Sequence, residues 1–309
     1  MTLNQLRYVV TVAECDSITE AAGRLYLSQP SLTSAIHELE KELGITLFLR
    51  TNHGITVTVE GEEFLGYARQ MLEQEKMIRE KYMGASHGKY SFCVSTQHYS
   101  FAVEAFVELL KDYGQEDYEF HIRETRTYDI IEDVARLRSE VGVLYRNPFN
   151  ETVLNRTFEE HDLEFHPLFR AAPHVFLGRE NPLAGREYVT LEDLDPYPRL
   201  SYEQGEHNSF YFFEELQSTL TRRKDIVVTD RATLFNLLIG LNGYTICSGV
   251  INARLNGENI VSVPLRVEDY MEVGYLLHRH IRMGRLAQEY ITALQNYSGN
   301  SMMPGEKDA

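Results

Sequence analysis

An α/β protein with a separate helical module at its amino end is the fold class that three features of this 309-residue sequence predict. Apolar residues recur at helical spacing through much of the first sixty positions, and a proline-free stretch from 60 to 83 continues a helical pattern. From Tyr90 onward, short apolar strands alternate with helical segments. A hydrophobic content of 43% over this length is enough for two or three cores. The amino end lacks the basic stretch, apolar run and cleavage site of a signal peptide, and no apolar run reaches membrane-spanning length, so a cytoplasmic protein with no membrane partner is expected. Cys15, Cys93 and Cys247 lie far apart and form no CxxC pair, which predicts buried free thiols rather than disulfides or a cysteine zinc site.

In the first helix, from Leu3, the residues Leu6, Val9, Val10 and Ala13 form one buried face. Ser17 and Glu20 have the spacing of a capping box at the start of a second helix, whose Ala21 and Ala22 let a neighbour cross closely. Tyr26-Leu27 makes the turn. The third helix opens at Ser28-Gln29-Pro30, a serine cap followed by a proline that costs no helical hydrogen bond there. Its buried stripe is Leu32, Ile36, Leu39 and Leu43, which turns Pro30, Thr33, Ser34 and His37 outward with Gln29 at the border. Such a polar rim suits a major groove, where the Gln29 amide can pair with an adenine edge and the hydroxyls with bases or phosphates. After Gly44, Leu47–Arg50 reads as a strand, Asn52-His53-Gly54 as a turn and Ile55–Val59 as the return strand of a wing. Arg50 at its base and His53 at its tip are placed for phosphates or a minor groove. The same geometry also suits a three-helix module that binds a protein partner. A formal net charge of -16, and four basic residues against seven acidic ones in the first sixty, argue against a protein that coats nucleic acid by charge alone. Any contact with DNA must be local.

Leu3-x-Gln5-Leu6-Arg7-Tyr8, Ser17-Ile18-Thr19-x-Ala21-Ala22, Leu25-x-Leu27-Ser28-Gln29-Pro30-Ser31-Leu32 and Leu39-Glu40-x-Glu42-Leu43-Gly44-Ile45-x-Leu47-Phe48-x-Arg50 together resemble the LysR-type transcriptional regulators. The resemblance is dense over about the first sixty residues; beyond them it rests on length and domain order. It implies that Gln29, Pro30, Ser31, Thr33 and Ser34 enter the major groove and that Arg50 approaches the minor groove from the wing. The sequence departs from the family at His53, where a second arginine is usual, and at Glu60, where a small residue is usual. The expected partners are double-stranded DNA with an interrupted palindromic operator, a second copy of the chain in a homodimer or homotetramer, and a small-molecule effector, with anions among the candidates.

The organisation expected is a winged helix-turn-helix at 1–60, a linker and dimerisation helix with its hinge at 61–88, an effector domain at 89–300 and a disordered tail at 301–309. In the linker, Phe64, Ala68, Met71, Leu72, Ile78 and Tyr82 fall on neighbouring turns, with Glu75 interrupting the seam; the helix pairs with a second subunit or packs on its own domain. Gly84-Ala85-Ser86-His87-Gly88 reads as the hinge, and the disorder is expected from Ser298 onward.

In the effector domain, strands are expected at 91–95, 118–124 and 141–145, with helices at 99–113 and 128–139. Further strands fall near Val175, Leu200, Ile226, Tyr244 and Ile260, and the chain returns through Val273–Leu277 to a helix from Arg285 to Tyr297. One subdomain then comprises about 89–162 and 268–300, the other about 163–267, joined by two crossings around a cleft. The resemblance implies an arrangement similar to periplasmic solute-binding proteins, with the effector between the halves. In parallel sheets ligands sit beyond the carboxyl ends of strands, which makes Ser95, Thr96, Gln97, Thr125, Ser201, Asp230 and Ser248 the candidates. Thr96-Gln97 looks like the Thr-Gln effector motif of the family's sulfur-assimilation regulators. Each of these residues also suits a helix cap.

No nucleophile elbow, P-loop, dinucleotide fingerprint or HExxH occurs, so neither an enzyme, a catalytic residue, a cofactor nor a metal is expected, and His278-Arg279-His280 is given no role. The sequence thus predicts a DNA-binding regulator that senses a small molecule. The alternative is a small-molecule-binding protein or enzyme that uses the helix-turn-helix only to dimerise.

Overall fold

The computed structural model describes residues 1–15, 17–51, 54–83, 90–114, 117–251 and 258–296. The chain divides into two compact units, Met1–Gly88 and Lys89–Ala309.

The first unit begins with α1 (Leu3–Ala13), where the Thr2 hydroxyl accepts from Gln5 N and the Gln5 side chain accepts from Thr2 N. Ser17 caps α2 (Ile18–Arg24) by accepting from Glu20 N, and Ser28 caps α3 (Gln29–Leu43) by accepting from Ser31 N. Gly44 closes α3 at φ 72°, a left-handed conformation that favours glycine. Leu6, Val9 and Val12 of α1, Ala21 and Ala22 of α2 and Leu32, Ile36 and Leu39 of α3 build one core. The wing is the antiparallel pair β1 (Phe48–Thr51) and β2 (Gly54–Val57), with Arg50 opposite Ile55. Glu40 ties it to α3: its carboxylate accepts from Leu47 N at 2.7 Å and Phe48 N at 3.3 Å. The long α4 (Val59–Met83) begins where a Cβ on Gly61 would meet the Leu47 carbonyl oxygen at 2.4 Å, so only glycine lets the helix approach this closely.

The predicted linker stripe divides in the structure. Leu65 and Ala68 are buried in the unit's own core, with Phe64 and Leu72 packed against it, whereas Tyr67, Met71 and Ile78 stay exposed. Glu75 accepts from Arg7 of α1 at 2.9 Å and also pairs with Arg79, so the residue that interrupts the seam holds α4 to α1. The predicted turn at Asn52-His53, the hinge at 84–88 and the tail from 298 lie outside the described residues.

The second unit holds two mixed sheets. The first runs β4 (Tyr118–Glu124), β3 (Tyr90–Thr96), β5 (Val141–Arg146), β12 (Met271–His278), β6 (Leu163–Ala171), with β3 parallel to β4 and β5, and β12 antiparallel to β5 and β6. It is covered by α5 (Ser100–Asp112), α6 (Thr127–Ala135), α7 (Glu151–Glu160) and α10 (Arg285–Gln295). The second runs β11 (Ile260–Pro264), β7 (His174–Gly178), β10 (Tyr244–Cys247), β8 (Arg199–Tyr202), β9 (Asp225–Val228), with α8 (Leu191–Leu194) before β8 and α9 (Arg231–Leu241) before β10.

Two expectations are corrected. The sheets are not purely parallel, because strands made from a chain that has crossed and returned enter from the opposite end, as β7 and β12 do. The first crossing also lies at 172–173 rather than near 163, since Leu163–Ala171 pairs with β12 along its length and is the edge strand of the first sheet. The helix at 151–160 was not anticipated either. Its buried residues are Leu154, Thr157 and Phe158, a short stripe amid charged positions.

Candidate nucleic-acid interface and ligand cleft

On α3 the leucine-lined underside leaves Gln29, Pro30, Ser31 and Ser34 exposed and Thr33 half-buried. The Ser31 hydroxyl lies 2.7 Å from that of Ser28, and the Thr33 Oγ1 is buried with no hydrogen-bond partner. Gln29 is the first residue of the helix, so its amide is carried at the end that presents unsatisfied backbone N–H groups. Tyr26, read in the sequence only as a turn, is 97% exposed at φ 54° two residues before the cap. An aromatic residue in so short a connection between two helices was the available signal. Arg50 occupies the wing strand β1, and His53 lies outside the described residues.

At the carboxyl end of β3 the predicted effector residues are spent on the protein itself. Ser95 donates to Asp133 at 2.6 Å, Thr96 donates to the Gln97 carbonyl at 2.8 Å, and all three of Ser95, Thr96 and Gln97 are fully buried. The Gln97 amide donates to Thr127 at 2.6 Å and accepts from Tyr99 OH at 2.9 Å and Tyr145 N at 3.1 Å. The Thr125 hydroxyl donates to Asp129 at 3.3 Å, Ser201 is buried within β8, and Asp230 caps α9 by accepting from Thr233 N at 2.8 Å. Of the seven candidates, Ser248 alone lines the cavity described next. Ser95→Ala is expected to cost about 1–3 kcal/mol, because it leaves the buried Asp133 short of a donor. Urea denaturation measures this, and a change within error would show that the hydroxyl is dispensable.

Between the two sheets lies a cavity of about 40 Å³, room for a few water-sized groups. Its charged walls are His98, Glu214, Glu215 and Arg231, and its apolar walls include Phe176, Leu234, Phe235 and Met271. Glu214 and Glu215 belong to an irregular segment, 203–218, that leaves the second sheet and runs along the first. Arg126 donates to Glu203 at 3.0 Å, Thr127 N to the Gln204 side chain at 3.2 Å, Tyr145 OH to the Phe213 carbonyl at 3.1 Å and the Gln217 amide to Asp269 at 3.3 Å. Rings of Tyr128 and His207 stack at 3.5 Å. Gly205 sits at φ 60°, a left-handed conformation that favours glycine, where the strap meets the Arg126 guanidinium of the first subdomain.

At the strap's inner end the Glu214 carboxylate accepts from His98 N at 3.0 Å, lies 2.9 Å from the imidazole Nδ1 and accepts from the Gln204 amide at 3.4 Å. The His98 ring stacks on Tyr202 at 3.8 Å, nearly parallel. Burial disfavours the imidazolium, yet the charge and hydrogen bond of Glu214 carry the His98 pKa above its ordinary value. Glu215 accepts from Tyr202 N at 2.9 Å through one oxygen, while the other is buried with no hydrogen-bond partner. Burial first, then the neighbouring Glu214 charge, push its pKa well above the carboxylate range. Arg231 Nη2 lies 3.0 Å from Glu124, whose own pKa burial raises, and Arg231 Nη1 is buried without a hydrogen-bond partner. Burial also pushes the Cys247 thiol up to about 12. Sequence reasoning missed this pair of acids because the strap has no helical or strand period to mark it. Among the described residues there is no group of three or more His, Cys, Asp or Glu that could hold a metal ion, and no helix is long and apolar enough to cross a membrane.

Comparison with known proteins falls on both units. Residues 3–62 match the bacterial regulatory helix-turn-helix protein, lysR family, and residues 87–298 match the LysR substrate binding domain. The HTH-type transcriptional regulator AlsR of Bacillus subtilis is 27% identical over 244 residues, 78% of this chain and 77% of that one. A full-length cysteine-to-aspartate variant of OxyR from Pseudomonas aeruginosa superposes with a TM-score of 0.66 at 20% identity, covering 96% of this chain and 98% of that one. Full-length CbnR complexed with its target DNA superposes with a TM-score of 0.56 at 16% identity, covering 96% of this chain and all of CbnR, 100%.

Proposed function

Because the chain belongs to the LysR family of bacterial helix-turn-helix regulators, we propose that it binds duplex DNA through the outward rim of α3 and changes its transcriptional output when a small molecule enters the cleft of the second unit. The observation that carries this reading is the exposed rim Gln29, Pro30, Ser31 and Ser34 on a helix whose opposite face is buried. Thr33, Arg50 and His53 are assigned to the same interface, and Tyr26 to a neighbouring phosphate or sugar. CbnR, of the same fold, has been solved on its target DNA. The cleft supports the second half of the reading: it lies between two sheets joined by two crossings, which lets occupancy alter how the halves close. The protein acts in the cytoplasm, as a regulator and not as an enzyme, and needs no cofactor.

The organisation follows as part of the same proposal: a DNA-binding domain at 1–60, a dimerisation helix and hinge at 61–88, and an effector domain beyond. Tyr67, Met71 and Ile78, spaced four and seven residues apart on α4, form an exposed apolar stripe suited to a second copy. A two-fold dimer, alone or within a tetramer, presents two α3 rims to an interrupted palindrome. Ile78→Asp is therefore expected to shift the protein toward monomer in sedimentation velocity and to weaken DNA retardation with it. An unchanged sedimentation profile would remove α4 from the interface. The proposed function itself is tested by gel retardation of the gene's own upstream DNA, with binding that weakens steeply as salt rises. Absence of any shift at low salt would favour a dimerisation role for the helix-turn-helix, the competing reading.

A further inference from the structure

We propose that the cleft of the second unit selects a compact primary amine, an amino alcohol or amino acid, with Glu215 as the residue that receives its ammonium group. The inference rests on the regulatory reading above and names the ligand class of its cleft.

The start of α5 is the anion site that strand-end reasoning points to, but the protein fills it with its own carboxylate. Glu214 takes the backbone N–H and the imidazole of His98, and its side chain is 4% exposed. The second cation of the cleft, Arg231, is engaged by Glu124. An anion that brings no cation of its own therefore finds both cations of the cavity wall already ion-paired, with one N–H edge of Arg231 left over, and binding there would bury excess negative charge. The group left over is Glu215. It lines the cavity and is 4% exposed; one oxygen is held by Tyr202 N, and the other is buried with no hydrogen-bond partner. A bare, buried carboxyl calls for a donor with positive charge. Phe176 and Phe235 line the same space with aromatic rings, which favour a cation over an anion. The partnerless Nη1 of Arg231 provides the complementary contact, a donor for a hydroxyl or carboxylate at the ligand's other end.

Burial and the neighbouring Glu214 charge favour the protonated form of Glu215 before the amine binds, with Arg199 the cation that opposes them; Cys247, Tyr99, Tyr145 and Tyr202 also face this region. On binding, the carboxyl ionises against the ammonium and its proton leaves to solvent. One proton is released per ligand, so affinity rises by about tenfold per pH unit while Glu215 remains protonated in the free protein.

The test uses the full chain with ethanolamine and alanine as probes and propionate as the size-matched anion. Thermal shift at about 50 mM of each is expected to show stabilisation by the amines and none by propionate. Calorimetry at pH 6 and 7, in buffers of different ionisation enthalpy, is expected to show the proton release. Glu215→Gln, which keeps shape and a hydrogen-bonding oxygen, is expected to lose the amine response. Stabilisation by propionate alone, an unchanged response in Glu215→Gln, or no response to either amine overturns the proposal. Retardation of upstream DNA by the same preparation separates such a failure from failure of the regulatory reading.

Discussion

Gln29→Ala is expected to abolish sequence-specific retardation of operator DNA while leaving the protein folded. Gln29 opens α3 and is exposed, so its removal uncovers no core and breaks none of the hydrogen bonds described above; alanine at an exposed helical position is well tolerated. A bidentate amide–adenine contact discriminates by about 1–3 kcal/mol. A two-fold dimer uses it in both half-sites, so the loss is about 2–6 kcal/mol for widely separated, additive contacts. Fluorescence anisotropy with the parent operator measures the loss, and circular dichroism with thermal melting verifies the fold. Equal affinity of variant and parent would move the recognition contacts away from the start of α3.

The second large effect concerns the His98–Glu214 pair. His98→Leu leaves the Glu214 carboxylate buried with its imidazole partner gone, and breaking a buried pair from one side costs about 3–5 kcal/mol. The double variant His98→Leu/Glu214→Leu removes the stranded charge and is expected to recover much of that loss. Urea denaturation of the three proteins decides the matter: a double variant no more stable than His98→Leu would show that the two residues do not act as a pair. The pH dependence has a definite sign. The folded pKa of His98 lies above the ordinary 6.5, so its electrostatic contribution is complete below that value and is lost as pH rises through the folded value. The gap between parent and His98→Leu is thus largest on the acid side and narrows as the solution becomes alkaline.

What could be read in the sequence follows the range of the interactions involved. The α3 rim is local: Leu32, Ile36 and Leu39 fix the orientation of Gln29 through helical periodicity, and the cap at Ser28 fixes the start. Strand positions in the second unit were similarly legible from apolar runs. Thr96 and Gln97 illustrate the limit. Their position at a strand end is visible in the sequence, yet Gln97 is spent on Thr127 and Tyr145, partners 30 and 48 residues away, and no local pattern announces that. The strap is harder still. Phe210–Glu215 is an aromatic run ending in two acids, and its meaning depends on His98, 116 residues earlier. The edge strand 163–171 misled for a related reason: its assignment to the first sheet is made by β12, a strand a hundred residues later.

The place of β12 bears on the order in which the protein can be made. It lies between β5 and β6, so the middle of that sheet is supplied by residues that leave the ribosome after both of its neighbours. Until residues 271–278 emerge, β5, with Val141, Val143 and Leu144 fully buried in the finished protein, has a bare edge, as does β6. The helices α1, α2 and α3, by contrast, pack on close neighbours in sequence and can settle during synthesis. A chain terminated ahead of Met271 would keep a folded amino-terminal unit joined to an unfinished remainder whose bare strand edges can pair with those of other copies.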